Sequence, residues 1–118
     1  MLRFKRLLKS FQYAFRGIKK VVFEEQNFRI QLFFAFLVLF LAFYLEISRM
    51  DWIFLISVIF LVFLMEVVNS AVERITDSIK PRINIYVKEI KDIMAAAVML
   101  ASVVAVIVGL IIFIPYFY

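Results

Sequence analysis

The stretch Phe63 to Asp77, FLMEVVNSAVERITD, decides the fold. It opens as the tail of a long apolar run and then, with no Gly, Pro or turn signal, gains Glu66, Asn69, Glu73 and Asp77. At about 100° per residue of an α-helix these four fall within an arc of roughly 80°, so one helix face is acidic. Val67, Val68, Val72 and Ile75 keep the other faces apolar. A carboxylate stripe at membrane depth is expensive, and some partner must offset it.

Composition makes lipid the solvent. Of 118 residues 66% are hydrophobic, and the mean hydropathy of +1.01 lies far outside the range of soluble domains. A chain of this length is expected to form a single membrane domain, residues 1–118. Neither Cys nor His occurs, which removes disulfides, thiolate nucleophiles, the usual general base and the usual zinc ligand. Catalysis is left to carboxylates, Lys, Arg, Asn or Tyr. The net charge of +5 sits beside apolar runs and reads as contact with a membrane surface, not with nucleic acid. Gly17 and Gly109 are too isolated to build a phosphate-cradling loop, so neither a P-loop nor a Rossmann turn is present. No cleavable leader is expected, because charges interrupt the N-terminal segment throughout.

Working outward, residues 1–24 place Phe4, Leu7, Leu8, Phe11, Phe15, Ile18 and Val22 at spacings of three and four, with Lys and Arg over the other side. That pattern predicts an amphipathic surface helix lying in the interface. A polar patch, Glu24 to Asn27, precedes the first expected span, 28–47, and Ser48 to Asp51 is expected to form the turn. The second span is expected over 52–72, opened by Trp52 as an interfacial aromatic. Glu66 then lies about 20 Å along a hydrocarbon core of about 30 Å. Residues 78–91, with Pro81 and several charges, read as a surface connector, and the third span is expected over 92–114. Ala95, Ala96, Ala97, Ala101, Ser102 and Ala105 suit close helix contact in lipid. Basic residues crowd the N-terminal segment and the second connector, while the first turn holds only Arg49 and the C-terminal end none. The positive-inside rule therefore puts the N-terminus and second connector in the cytoplasm and the C-terminus outside.

Three spans bury too little to shield Glu66, Glu73 and Asp77 from lipid, so a trimer or similar bundle is expected. Carboxylates gathered on one face without cation partners suggest a hard divalent metal, Mg²⁺ in particular, which takes one or two carboxylates plus phosphate oxygens and waters. Asn69 can both donate and accept beside them. Lys91, next to Asp92, offers a phosphate-binding cation. The same acids would also serve a small oligomeric ion or proton conductor, which stands as the alternative.

The run Glu66, Val67, Val68, Asn69, Ser70, Ala71, Val72, Glu73, with Asp77 four residues on, resembles the E-x-x-N-[ST]-A-[IV]-E-x-x-x-D signature of the small bacterial integral-membrane diacylglycerol kinase and undecaprenol kinase family. The likeness extends to Phe15, Arg16, Gly17 and Ile18, to Glu25 through Arg29, and to Lys91-Asp92 before an Ala-rich helix. The resemblance implies an all-α homotrimer of the bacterial cytoplasmic membrane that moves the ATP γ-phosphoryl group to a lipid hydroxyl. It implies Glu66 as general base, Glu25 and Glu73 as ligands of Mg²⁺, and Asn69 and Asp77 as their direct neighbours. Lys91 and Asp92 would contact phosphate, and Arg6, Lys9 and Tyr13 would line the nucleotide end. Glu66, Asn69 and Ser70 would face the acceptor. Two positions depart from the pattern: Gln31 stands where undecaprenol-type members often have His, and Met94 where many relatives have Gly or Ala nearby.

Overall fold

A computed structural model describes residues 2–79 and 84–118. All regular elements among the described residues are helical: α1 (Leu2–Glu24), α2 (Gln26–Leu45), α3 (Arg49–Ile79), α4 (Asn84–Phe113) and a C-terminal 3-10 turn (Ile114–Phe117). The helices α2, α3 and α4 are each long and apolar enough to cross a membrane, and the chain is a membrane protein.

Each junction follows from local chemistry. Glu25 leaves the helical region (φ −107°, ψ 109°) and separates α1 from α2. Arg29 reaches back to donate to the carbonyls of Val22 (3.0 Å) and Phe23 (2.7 Å), satisfying orphaned acceptors at the end of α1. At the other end of α2, Glu46 adopts a left-handed conformation (φ 53°) and its N–H returns to the last turn. The turn is shorter than the expected Ser48 to Asp51, because Ser48 caps α3: its Oγ accepts from the Asp51 N–H at 3.1 Å, so Arg49 to Asp51 are already helical. Proline at position 115 stops α4 and opens the 3-10 turn.

The connector also differs from the expected 78–91. Helix α3 continues to Ile79 and α4 begins at Asn84, while Lys80, Pro81, Arg82 and Ile83 lie outside the described residues. Residues 85–91 are helical because Val87, Lys91 and Met94 turn inward at spacings of four and three, a helical face that the local charges obscure. Met94 is accommodated half-buried. Among the small residues of α4, Ala101 is buried and Ala97, Ser102 and Ala105 are half-buried, whereas Ala95 and Ala96 face away from this chain.

Helix α3 is the axis of the structure. Its inward face reads Leu55, Val58, Val62, Glu66, Ser70, at spacings of three and four. Leu55 packs with Ala42, Ile47 and Ile112 in a core beside the α2–α3 turn. Tyr116 fastens that end: its hydroxyl accepts from the Ser48 N–H and donates to Asp51 Oδ2, each at 3.2 Å. Elsewhere the apolar side chains point outward. Phe36, Phe40 and Phe43 of α2 are 68%, 73% and 76% exposed, so this face is built for lipid or for another copy of the chain.

Candidate active site

The polar site forms where α3 passes the α1–α2 junction. Glu66 is buried on the inward face of α3. Gln31, one and a half turns into α2, donates Nε2 to Glu66 Oε1 at 2.7 Å. Its own Oε1 is buried and has no hydrogen-bond partner among the described residues. One turn further along α3, buried Ser70 donates Oγ to Glu25 Oε1 at 3.0 Å. Glu25 occupies the N-cap position of α2 without capping it through its side chain, which leaves the carboxylate available to α3. Asn69 donates Nδ2 to Glu73 Oε1 at 2.9 Å. Both Glu25 and Glu73 lie close enough for their charges to act on Glu66.

Cations accompany some of the acids: on the face expected to lack cation partners Asp77 has one, and so do the junction acids Glu24 and Glu25. Arg74 bonds Glu24 Oε1 at 2.5 Å and Glu25 Oε1 at 3.4 Å, and also contacts the Ser70 hydroxyl. Lys91 pairs with Asp77 Oδ1 at 2.6 Å across α3 and α4. Its expected companion, Asp92, is exposed on α4. The sequence carries a signal for Arg74, since it follows Ser70 by four residues and so shares its face, although its charge taken alone marks only orientation. Gln31 is marked in the sequence only as a departure from the family pattern; its place opposite Glu66 comes from tertiary packing of α2 against α3 at that height.

Not every expected residue gathers here. Asp77 is eleven residues beyond Glu66, about 16 Å along the helix axis. On α1, Tyr13, Lys9 and Arg6 are about 18, 24 and 28 Å of helix from Glu25. All three are exposed, with Arg16 stacked 5.6 Å from the Tyr13 ring centre. Within one chain the compact group is Glu25, Gln31, Glu66, Asn69, Ser70, Glu73 and Arg74.

Away from this group a groove of about 430 Å³ runs between α2, α3 and α4, with Gln31 at one end and Phe113 at the other. Val38, Leu55, Val62 and Gly109 lie along it, and its lining is almost wholly apolar. Gln31, the hydrogen-bond partner of buried Glu66, thus stands at the polar end of an apolar groove, an arrangement suited to an amphiphile.

The donor set has the chemistry that a hard divalent cation takes. Glu25 and Glu73 supply two carboxylates from separate elements, and oxygen ligands of this kind suit Mg²⁺ when phosphates and waters complete its shell. Among the described residues no group of three or more acids forms an all-protein cage.

Residues 12–113 match the family model described as prokaryotic diacylglycerol kinase. The chain is 36% identical to the undecaprenol kinase of Bacillus subtilis (strain 168), over 93% of this chain and 89% of that protein. It is 32% identical to the diacylglycerol kinase of Escherichia coli (strain K12), over 88% and 85%. To the diacylglycerol kinase of Helicobacter pylori (strain ATCC 700392 / 26695) it is 34% identical, over 80% and 73%.

Proposed function

The chain belongs to the prokaryotic diacylglycerol kinase family and is a lipid kinase, and from that premise we propose that Glu66 activates the hydroxyl of diacylglycerol or undecaprenol for attack on ATP. The observation that carries this reading is a buried carboxylate, Glu66, held by the Gln31 that lines an apolar groove and standing near the acids Glu25 and Glu73. The lipid chain lies along the groove, and its hydroxyl donates to Glu66. As the lipid oxygen bonds to the γ-phosphorus, its proton passes to Glu66 and the bond from phosphorus to the β–γ bridging oxygen breaks, releasing ADP. Gln31 holds the Glu66 carboxylate in place through the 2.7 Å bond. Asn69 likewise fixes Glu73, and Ser70 fixes Glu25.

Mg²⁺, when bound, would be held by Glu25 and Glu73 and would neutralise charge on the nucleotide phosphates. Lys91 attracts phosphate at the α3–α4 end, and Asp92 beside it bounds the phosphate-contacting position. The basic side of α1, with Arg6, Lys9 and Tyr13, serves the nucleotide. Because those residues stand far from Glu25 in their own chain, and because apolar faces remain uncovered, the working form is a homotrimer in which copies share their surfaces. Helix α1 lies in the interface with its apolar face down. The N-terminus and the α3–α4 connector face the cytoplasm, where ATP is available, and the C-terminus faces out.

A conducting role fits the site less well. Beyond Glu66 the inward face of α3 is Val62, Val58 and Leu55, so the polar line stops partway along the helix and leaves about 16 Å without a carrier. The direct test offers γ-labelled ATP with diacylglycerol and undecaprenol together in liposomes. Label in either lipid phosphate supports the assignment and names the acceptor; label in neither overturns it.

A further inference from the structure

Arg74 stands where charge balance at the site is decided. Its guanidinium spans two consecutive acids: one nitrogen is 2.5 Å from Glu24 Oε1, the other 3.4 Å from Glu25 Oε1. The nitrogen nearer Glu25 also donates to the Ser70 carbonyl at 3.4 Å and to the Ser70 hydroxyl, itself bonded to Glu25 at 3.0 Å. Lys20 shares Glu24 at 3.7 Å and, among the described residues, pairs with no other acid of this group. The contact to Glu24 is therefore short and the contact to Glu25 long. Arg74 is anchored on Glu24 and only leans on Glu25.

This asymmetry has a chemical meaning. Glu25 and Glu73 each act on Glu66 as like charges, and of these three acids it is Glu25 that the Arg74 guanidinium lies against. An arginine that held Glu25 in a short two-pronged pair would compete strongly with any other cation for that carboxylate. One anchored elsewhere can steady Glu25 and still yield it.

We infer that Arg74 is a positioning residue that holds Glu25 in place of the divalent cation, anchored on Glu24 so that it gives way when the cation arrives. The inference rests on Glu25 as a ligand of the divalent cation. Released from Glu25, Arg74 remains on Glu24 beside the incoming polyphosphate. The cation's affinity is thus set by a competition inside the chain, and Glu24, which need not touch the cation, sets the terms.

The test is a Mn²⁺ titration followed by electron paramagnetic resonance on the full chain in detergent, with no nucleotide or lipid, so that it is independent of turnover. Wild type is expected to bind Mn²⁺ and Glu25→Gln to lose most of that binding; no binding by wild type, or no loss in Glu25→Gln, refutes Glu25 as a ligand and the inference with it. With that established, Arg74→Gln is expected to tighten binding by about two- to fivefold, the range set by an exposed ion pair. Glu24→Gln should weaken it, because Arg74 then turns wholly to Glu25. Lys20→Gln removes a charge from the same cluster without touching Glu25 and should leave the affinity within about a factor of two. Unchanged or weaker binding in Arg74→Gln, or equal tightening in Lys20→Gln, overturns the competition while Glu25 remains a ligand. Should Arg74→Gln fail to fold, Glu24→Gln decides alone: weaker binding sustains the inference and unchanged or tighter binding overturns it.

Discussion

The two ends of α3 bury the same helix face for opposite reasons. At the turn end, Leu55 is 2% exposed among Ala42, Ile47 and Ile112, and Tyr116 ties the C-terminal turn to Ser48 and Asp51. At the junction end, Glu66 and Ser70 are buried to a similar degree, in a net of Gln31, Glu25 and Arg74. One stripe with helical spacing thus changes from shape complementarity to hydrogen bonding and charge within about three turns. The first end fixes where the helices sit; the second uses that fixed geometry to hold a buried carboxylate, the proposed base. Stability and chemistry should therefore be separable by position along a single helix.

Substitutions that respect or blur that separation test it. The largest stability effect is expected from Ile112→Ala, which opens a cavity in the turn-end core and costs about 2–5 kcal/mol. The apparent melting temperature in detergent should fall, while phosphoryl transfer per folded molecule stays near wild type; a selective loss of turnover would mean that the ends are not independent. Gly109→Leu comes next. A β-carbon there meets nothing within 4 Å, so the fold has room for it, but a larger side chain enters the groove. The lipid KM should rise by about tenfold, the scale on which a hydrophobic pocket responds to a misplaced group, with the ATP KM unchanged. An unaltered lipid KM would remove the groove from the acceptor's path. The smallest effect belongs to Tyr116→Phe, which deletes the hydroxyl clasp and is expected to cost about 0.5–1.5 kcal/mol with no change in turnover per folded molecule. Equal activity loss and stability loss there would extend the site to the far end of the bundle.

The fold is largely readable in the sequence because lipid enforces it. A chain with long apolar runs must satisfy its backbone internally, so helices are dictated before any contact is known. Boundaries are harder. The Ser48 cap moves the start of α3 forward to Arg49, and the charges of Lys88 and Glu89 hide a helical face carried by Val87, Lys91 and Met94. In the site, Glu66 stands out because burying an acid inside an apolar run is costly and persists where the carboxylate is put to use. Asn69, Glu73 and Asp77 follow from period alone. Period places Arg74 on the face of Ser70 but not against Glu24 and Glu25, and it does not place Gln31 at all, since those contacts depend on how α2 and the junction acids settle against α3. Periodicity reports which residues share a face, whereas the partner opposite that face is a property of the packed chain.

The most direct test of Glu66 as the base is single-turnover transfer from γ-labelled ATP to lipid by wild type and Glu66→Gln, with melting temperatures recorded alongside. Glu66→Gln is expected to keep the fold, because the amide can still accept from Gln31 Nε2, while the transfer rate falls by about 10²- to 10⁴-fold, the contribution of a positioned general base. A Glu66→Gln protein that melts like wild type and transfers phosphate at the wild-type rate would contradict that role.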